Sequence, residues 1–153
     1  MMNIINSAKI DFLSKPENLG FARVSATSFA TFIDFTLDEL EDIKLSVSEA
    51  VSNCIIHAYP DKNGIIEIDM KVFKNNDNIH LQITVTDTGI GIANLHEARK
   101  PGFSSDPEHM GMGLTMIEAL CDCMEIISDY KKGTTIVMQF SHKESNKDQI
   151  GGN

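Results

Sequence analysis

The sequence is short of cysteine, of positive charge and of long apolar runs, and each shortage excludes a class of protein. Its three cysteines, Cys54, Cys121 and Cys123, are an odd number without framework spacing. That excludes a disulfide-stapled scaffold and fits reduced thiols in a cytoplasmic protein. Cys121-Asp122-Cys123 has no second ligand pair, so a zinc site, which takes four ligands, is not expected. Lys and Arg number 13 against 22 Asp and Glu, a net charge of −9 and a pI near 4.9. A nucleic-acid binder carries a basic face to neutralise phosphates, so direct nucleic-acid binding is not expected. No apolar run approaches the ~20 residues that cross a bilayer. The N-terminus lacks a basic segment followed by an apolar one, so neither an export signal nor a membrane attachment is expected.

What remains is the composition of a soluble globular protein, 42% hydrophobic and 23% charged over 153 residues. A chain of this length makes one domain and hides roughly 70% of its unfolded surface. Residues 1–141 are expected to form that domain. The polar stretch 142–153, ending in Gly151-Gly152-Asn153, is expected to be a disordered tail.

The pattern predicts the following elements. Residues 7–13 alternate weakly, as an edge strand does. Ser14-Lys15-Pro16-Glu17 reads as a capping box with proline in the first turn, opening a helix to about Ile33 that carries Phe21, Val24, Phe29 and Phe32. Thr36-Leu37-Asp38-Glu39 is a second capping box. It opens the longest helix, to about Tyr59, with Pro60 and Gly64 beyond its end. Ile66, Ile68, Met70 and Val72, then Ile79, Leu81, Ile83 and Val85, alternate with polar residues around an Asn75–Asn78 turn, the period of an antiparallel hairpin. Residues 88–112 read as a long loop with a short helix near 94–99; a loop of that length is functional or mobile. A helix over 113–123 and two closing strands follow. The last strand puts Ile136, Met138 and Phe140 on one face. Helices do not alternate singly with strands, which argues against right-handed βαβ winding. The expected fold is α+β: a two-layer sandwich of one mixed, mostly antiparallel sheet with helices on one face.

Three features carry chemistry. On the long helix Leu40, Ile43, Val47, Ala50, Val51 and Cys54 form an apolar stripe. Beside it, Ser46, Glu49, Asn53 and His57 form an arc spaced by three, four and four. Such an arc is also what a solvated polar face looks like. As a pocket wall, Glu49 takes a proton and the Asn53 carbonyl holds a metal ion. Second, Asp87-Thr88-Gly89-Ile90-Gly91 follows a strand whose parity points Asp87 inward. There the carboxylate needs a donor such as an exocyclic amine, and the glycines let backbone approach a flat ring. Alternatively, this Asp opens a tight turn. Third, Gly111-Met112-Gly113 at a helix start lets N–H groups face an anion, or serves as a hinge. Asp-Thr-Gly also occurs in aspartic proteases, but those need a second Asp in a largely β fold. A dinucleotide GxGxxG fails at Asn94 and at Met116.

Together the three features resemble the GHKL family of ATP-binding folds. Glu49 to His57 is similar to its N box, Asp87–Gly91 and Gly111–Gly113 to its two glycine boxes, and Gly133-Thr134-Thr135 to its late-strand element. Within that family the chain is most similar to the anti-sigma serine kinases of Gram-positive bacteria, on their sporulation branch. Phe21-Ala22-Arg23-Val24 and Glu97-Ala98-Arg99-Lys100-Pro101 add to the likeness. The resemblance implies a Bergerat-type fold, a homodimer and the cofactors ATP and Mg²⁺. It implies two partners, a sigma factor and an anti-anti-sigma protein phosphorylated on serine. Its alternatives are a nucleotide-gated anti-sigma module with little kinase activity and a stress-response anti-sigma kinase. It implies Glu49 as general base and Asn53 on Mg²⁺. His57, Asp87, Gly89, Gly91, Gly111, Met112, Gly113 and Thr135 are implied at the nucleotide, with Asp87 on the adenine amino group. Arg23 is implied at the partner, and residues 92–112 as a lid. The family's lid arginine before the second glycine box is missing; Pro107-Glu108-His109-Met110 stands there.

Overall fold

The computed structural model describes residues 2–92 and 110–142. Among them lie five strands, β1 (Asn3–Leu13), β2 (Ile65–Asn75), β3 (Asn78–Asp87), β4 (Cys123–Asp129) and β5 (Gly133–Ser141). The α-helices are α1 (Leu19–Ala30), α2 (Leu37–Asn53) and α3 (Met110–Leu120). The strands form one sheet in the order β1-β2-β3-β5-β4. The expected antiparallel character is complete, for all four neighbouring pairs run antiparallel.

One core joins the layers. Ile66, Ile68, Met70 and Val72 of β2 share it with Leu81, Ile83 and Val85 of β3 and Ile136, Met138 and Phe140 of β5. Ile43, Val47 and Val51 of α2 and Leu114 and Ile117 of α3 close over them. The period-2 reading of the hairpin therefore holds, except that Ile79, beside its turn, is exposed. Asn76 makes the turn with a φ of 55°, a left-handed conformation that asparagine tolerates.

Helix α1 meets the core through its small residues. Its buried residues are Ala22, Ala26 and Ala30, while Phe21 and Val24 face solvent. Alanines at i, i+4 and i+8 let the helix lie close to its neighbours. β1 begins earlier than expected, at Asn3, and breaks register between Ile4 and Asn6. As an edge strand it buries little beyond Phe12, which is why its alternation is weak in the sequence.

The first capping box is not formed. A 3₁₀ turn, Pro16–Asn18, starts from Lys15 without a side-chain cap, and the Ser14 hydroxyl instead accepts the Gly64 N–H at 2.9 Å. Ser14 is spent extending the β1–β2 edge, since its own N–H donates to the Gly64 carbonyl at 2.8 Å. The second box is formed: Glu39 N–H donates to Thr36 Oγ1 at 3.1 Å and Thr36 N–H to Glu39 Oε1 at 2.8 Å. Thr36→Ala should lower stability by about 1 kcal/mol. Urea unfolding should show this as an earlier midpoint at unchanged slope.

The expected short helix at 94–99, most of the lid, and the tail beyond residue 142 lie outside the described residues. α3 starts a turn earlier than expected, at Met110, and stops at Leu120 because Cys123 already belongs to β4.

Candidate functional site

The long helix does not stay α-helical to Tyr59. It changes at Asn53 into one π turn, Cys54–Ala58. Such a turn widens the spiral and shifts the phase of whatever follows. The result is a crevice floored by the sheet, to which Asn53, Cys54 and His57 all contribute, opposite Asp87, Leu114 and Thr134. Cys54 keeps its expected place on the apolar stripe, packed in the core, and its thiol reaches the crevice from there; what helical periodicity alone could not show is that Asp87 stands opposite it. Ser46, expected on the polar arc, is fully buried, its hydroxyl donating to the Asp42 carbonyl.

Asp87 points inward as its strand parity predicts, and among the described residues it is the one buried carboxylate. Gly89 N–H donates to its Oδ1 at 3.0 Å and the Cys54 thiol donates to its Oδ2 at 3.3 Å. No Lys or Arg of the described residues is paired with it. Burial pushes the Asp87 carboxyl above the usual range, against the pull of hydrogen bonds from Gly89, Cys54 and the Thr134 backbone. Burial also pushes the Cys54 thiol well up, and the charge of Asp87 adds to the effect. Cys54 is therefore an un-ionised donor.

The glycines bring chain segments together. A Cβ at Gly89 would collide with the Ala58 carbonyl, which instead accepts the Ile90 N–H at 2.9 Å. Gly91, with φ 71°, lies against the Asp129 carbonyl. A Cβ at Gly113 would stand 2.9 Å from Glu49 Oε2 and 3.4 Å from Asn53 Nδ2. The second glycine box thus meets the Glu49–Asn53 column directly, and Gly111 and Met112 fall in the same first turn of α3.

Thr135 requires a correction. It pairs with Thr86, and their hydroxyls lie 3.4 Å apart on the sheet face away from Asp87. Thr134, opposite Asp87, is the threonine that lines the crevice. One step of β alternation separates the two. Ser128, which the sequence did not single out, ties this corner together: its hydroxyl accepts the Ile92 N–H at 2.7 Å and lies 2.8 Å from Thr134 Oγ1. Arg23 lies outside the crevice, its Nε donating to Ser48 Oγ at 2.9 Å between α1 and α2. Arg99, Lys100 and His109 are outside the described residues.

A helix-backed antiparallel sheet with an inward Asp and a helix-borne Glu–Asn pair defines a class, and comparison with known proteins agrees. Residues 12–140 match the family described as histidine kinase-like ATPase domain, and the chain belongs to that family. It is similar to proteins named anti-sigma F factor. With one from Clostridium perfringens (strain SM101 / Type A) it is 45% identical over 137 residues, 88% of this chain and 95% of that one. With one from Clostridium kluyveri (strain ATCC 8527) it is 45% identical over 136 residues, 88% of this chain and 93% of that one. The fold is similar to the crystal structure of the RsbU and RsbW domains of Rv1364c from Mycobacterium tuberculosis, with a TM-score of 0.58 and 19% identity. That match covers 90% of this chain and 32% of the longer one.

Proposed function

We propose that the chain is a cytoplasmic anti-sigma factor and an ATP-dependent serine protein kinase. In this reading it sequesters a sporulation sigma factor and phosphorylates an anti-anti-sigma protein on serine. The carrying observation is the placement of Glu49 and Asn53 against Gly113, with Asn53 lining a crevice that also holds the buried Asp87, which no Lys or Arg of the described residues pairs. The 45% identity to proteins named anti-sigma F factor supports the partner assignment.

The residues fit a magnesium nucleotide. Asn53 is buried and its Nδ2 has no hydrogen-bond partner; a half-turn of the amide exchanges Nδ2 for the carbonyl oxygen a cation needs. Asn53 would hold Mg²⁺, which when bound neutralises charge on the phosphates. Asp87 accepts from the adenine amino group. The hydroxyl beside it is that of Thr134, in the role expected of Thr135. The first-turn N–H groups of α3 at Gly111 and Met112 have no carbonyl partner within the helix and would serve the phosphates, with Gly113, which has no side chain, beside them. His57 lines the same wall. Glu49 takes the proton of the partner's serine hydroxyl as its oxygen bonds to the γ-phosphorus and ADP leaves.

The product carries about −1.5 to −2 of added charge beside a chain of net −9, and repulsion favours its release. Arg23, braced by Ser48 on the α1–α2 surface, is the partner contact. A homodimer belongs to the reading as well; the outer edge of the sheet at β1, with Met2, Ile4 and Ile5 exposed, supports it.

Incubation with labelled ATP, Mg²⁺ and an anti-anti-sigma protein should yield phosphoserine on that protein. Sigma-factor binding without any phosphoserine would replace the kinase with a nucleotide-gated binding module. The missing lid arginine makes that the reading to test against.

A further inference from the structure

Asp87 can select a purine only if its carboxylate is held in one orientation. The last torsion of an aspartate is broad and roughly two-fold, so orientation must come from its neighbours. Here both oxygens are tethered from opposite sides: Oδ1 by the Gly89 N–H at 3.0 Å and Oδ2 by the Cys54 thiol at 3.3 Å. The first tether is backbone and independent of side-chain identity. The second exists because Cys54, 4% exposed, ends the apolar stripe where α2 meets the crevice wall.

We propose that Cys54 is a positioning residue for nucleotide selection, its thiol fixing Oδ2 of Asp87 so that the carboxylate meets the purine edge in a single orientation. This rests on the assignment of Asp87 to the adenine amino group. A thiol suits the task. It is a weak donor, so it directs the carboxylate while leaving Oδ2 able to accept strongly from a ligand. A carboxylate oxygen has two lone-pair sites, and one donor occupies only one of them.

The test is a double-mutant cycle read as binding, without turnover. Affinities for Mg·ATP and Mg·GTP are measured by calorimetry in the native chain, Cys54→Ala, Asp87→Asn and the double variant. Cys54→Ala should weaken ATP by about fivefold to tenfold, the scale of one ordinary hydrogen bond, as suits a weak donor, and leave GTP unchanged. In the Asp87→Asn background the same change should do nothing further, since coupled residues are non-additive. Cys54→Ser, which keeps a donor, should restore most of the affinity. An equal ATP loss in both backgrounds would make Cys54 a packing residue and overturn the proposal, as would an unaltered ATP affinity in Cys54→Ala. If Asp87→Asn alone leaves ATP affinity intact, the adenine assignment itself fails and takes this proposal with it. A second measurement survives misfolding of the alanine variant. The S–H stretching band of Cys54, isolated by difference against Cys54→Ser, should move to higher frequency in Asp87→Asn; an unmoved band overturns the tether.

Discussion

Glu49→Gln is expected to abolish phosphoserine formation, by at least ~10²-fold, while leaving Mg·ATP affinity within about twofold of the native value. Glutamine has the shape of glutamate, so the close packing against Gly113, where a Cβ would stand 2.9 Å from Oε2, survives. Asp87, at the adenine end in this reading, is not touched by the change. What disappears is the ability to accept a proton from an incoming hydroxyl, and that is needed only when the serine reacts. The effect should therefore fall on transfer and spare binding, the pattern of an interaction made in the transition state. Single-turnover assays with labelled ATP and the anti-anti-sigma partner measure the first quantity, and calorimetry the second. Equal transfer rates in the two proteins would remove Glu49 from the role of base. A parallel loss of ATP affinity would make it a ligand-binding residue instead.

The parts of this molecule that could be read from sequence are those with a strong local period. The β2–β3 hairpin buries one face over all but its turn, so Ile66 to Val72 and Leu81 to Val85 announce it, and the same parity carries Asp87 into the core one step later. The Thr36 box was legible because both halves of its reciprocal hydrogen bond are local. Failures came where a distant segment decided the outcome. Ser14 satisfies Gly64, fifty positions away, and no local pattern distinguishes that from a cap. The chain beyond Cys54 changes phase because the backbone widens into a π turn, and a reading at 100° per residue cannot register the change. Thr134 and Thr135 are chemically identical, and only the register of β5 against β3 decides which of them stands opposite Asp87.

Asp87→Asn should separate recognition from stability, because the same burial acts on both. Adenine offers an amino hydrogen where guanine offers a carbonyl oxygen. An ionised Asp87 accepts from the first and repels the second. Asparagine keeps the shape but can present its NH₂ as a donor, so discrimination should narrow: ATP affinity falls by about tenfold to a hundredfold while GTP holds or improves. The nucleotide-free protein should respond in the opposite sense. Burial raises the Asp87 carboxyl above its unfolded value. The stabilising contribution of such a group is full at pH below the unfolded value and is lost as pH rises through the folded one. Near neutrality the ionised carboxylate is therefore a cost to the fold that asparagine does not carry. The variant should melt no lower than the native chain at pH 7.5, and the difference should shrink as the solution is made more acidic. Calorimetric titrations with ATP and GTP, paired with melting curves across that pH range, measure both effects. An unchanged ATP-to-GTP ratio would reject the purine assignment. A lower melting temperature at pH 7.5 would show that the tethers from Gly89 and Cys54 offset the burial of the charge, and that Asp87 holds the β3 turn together as well as facing the nucleotide.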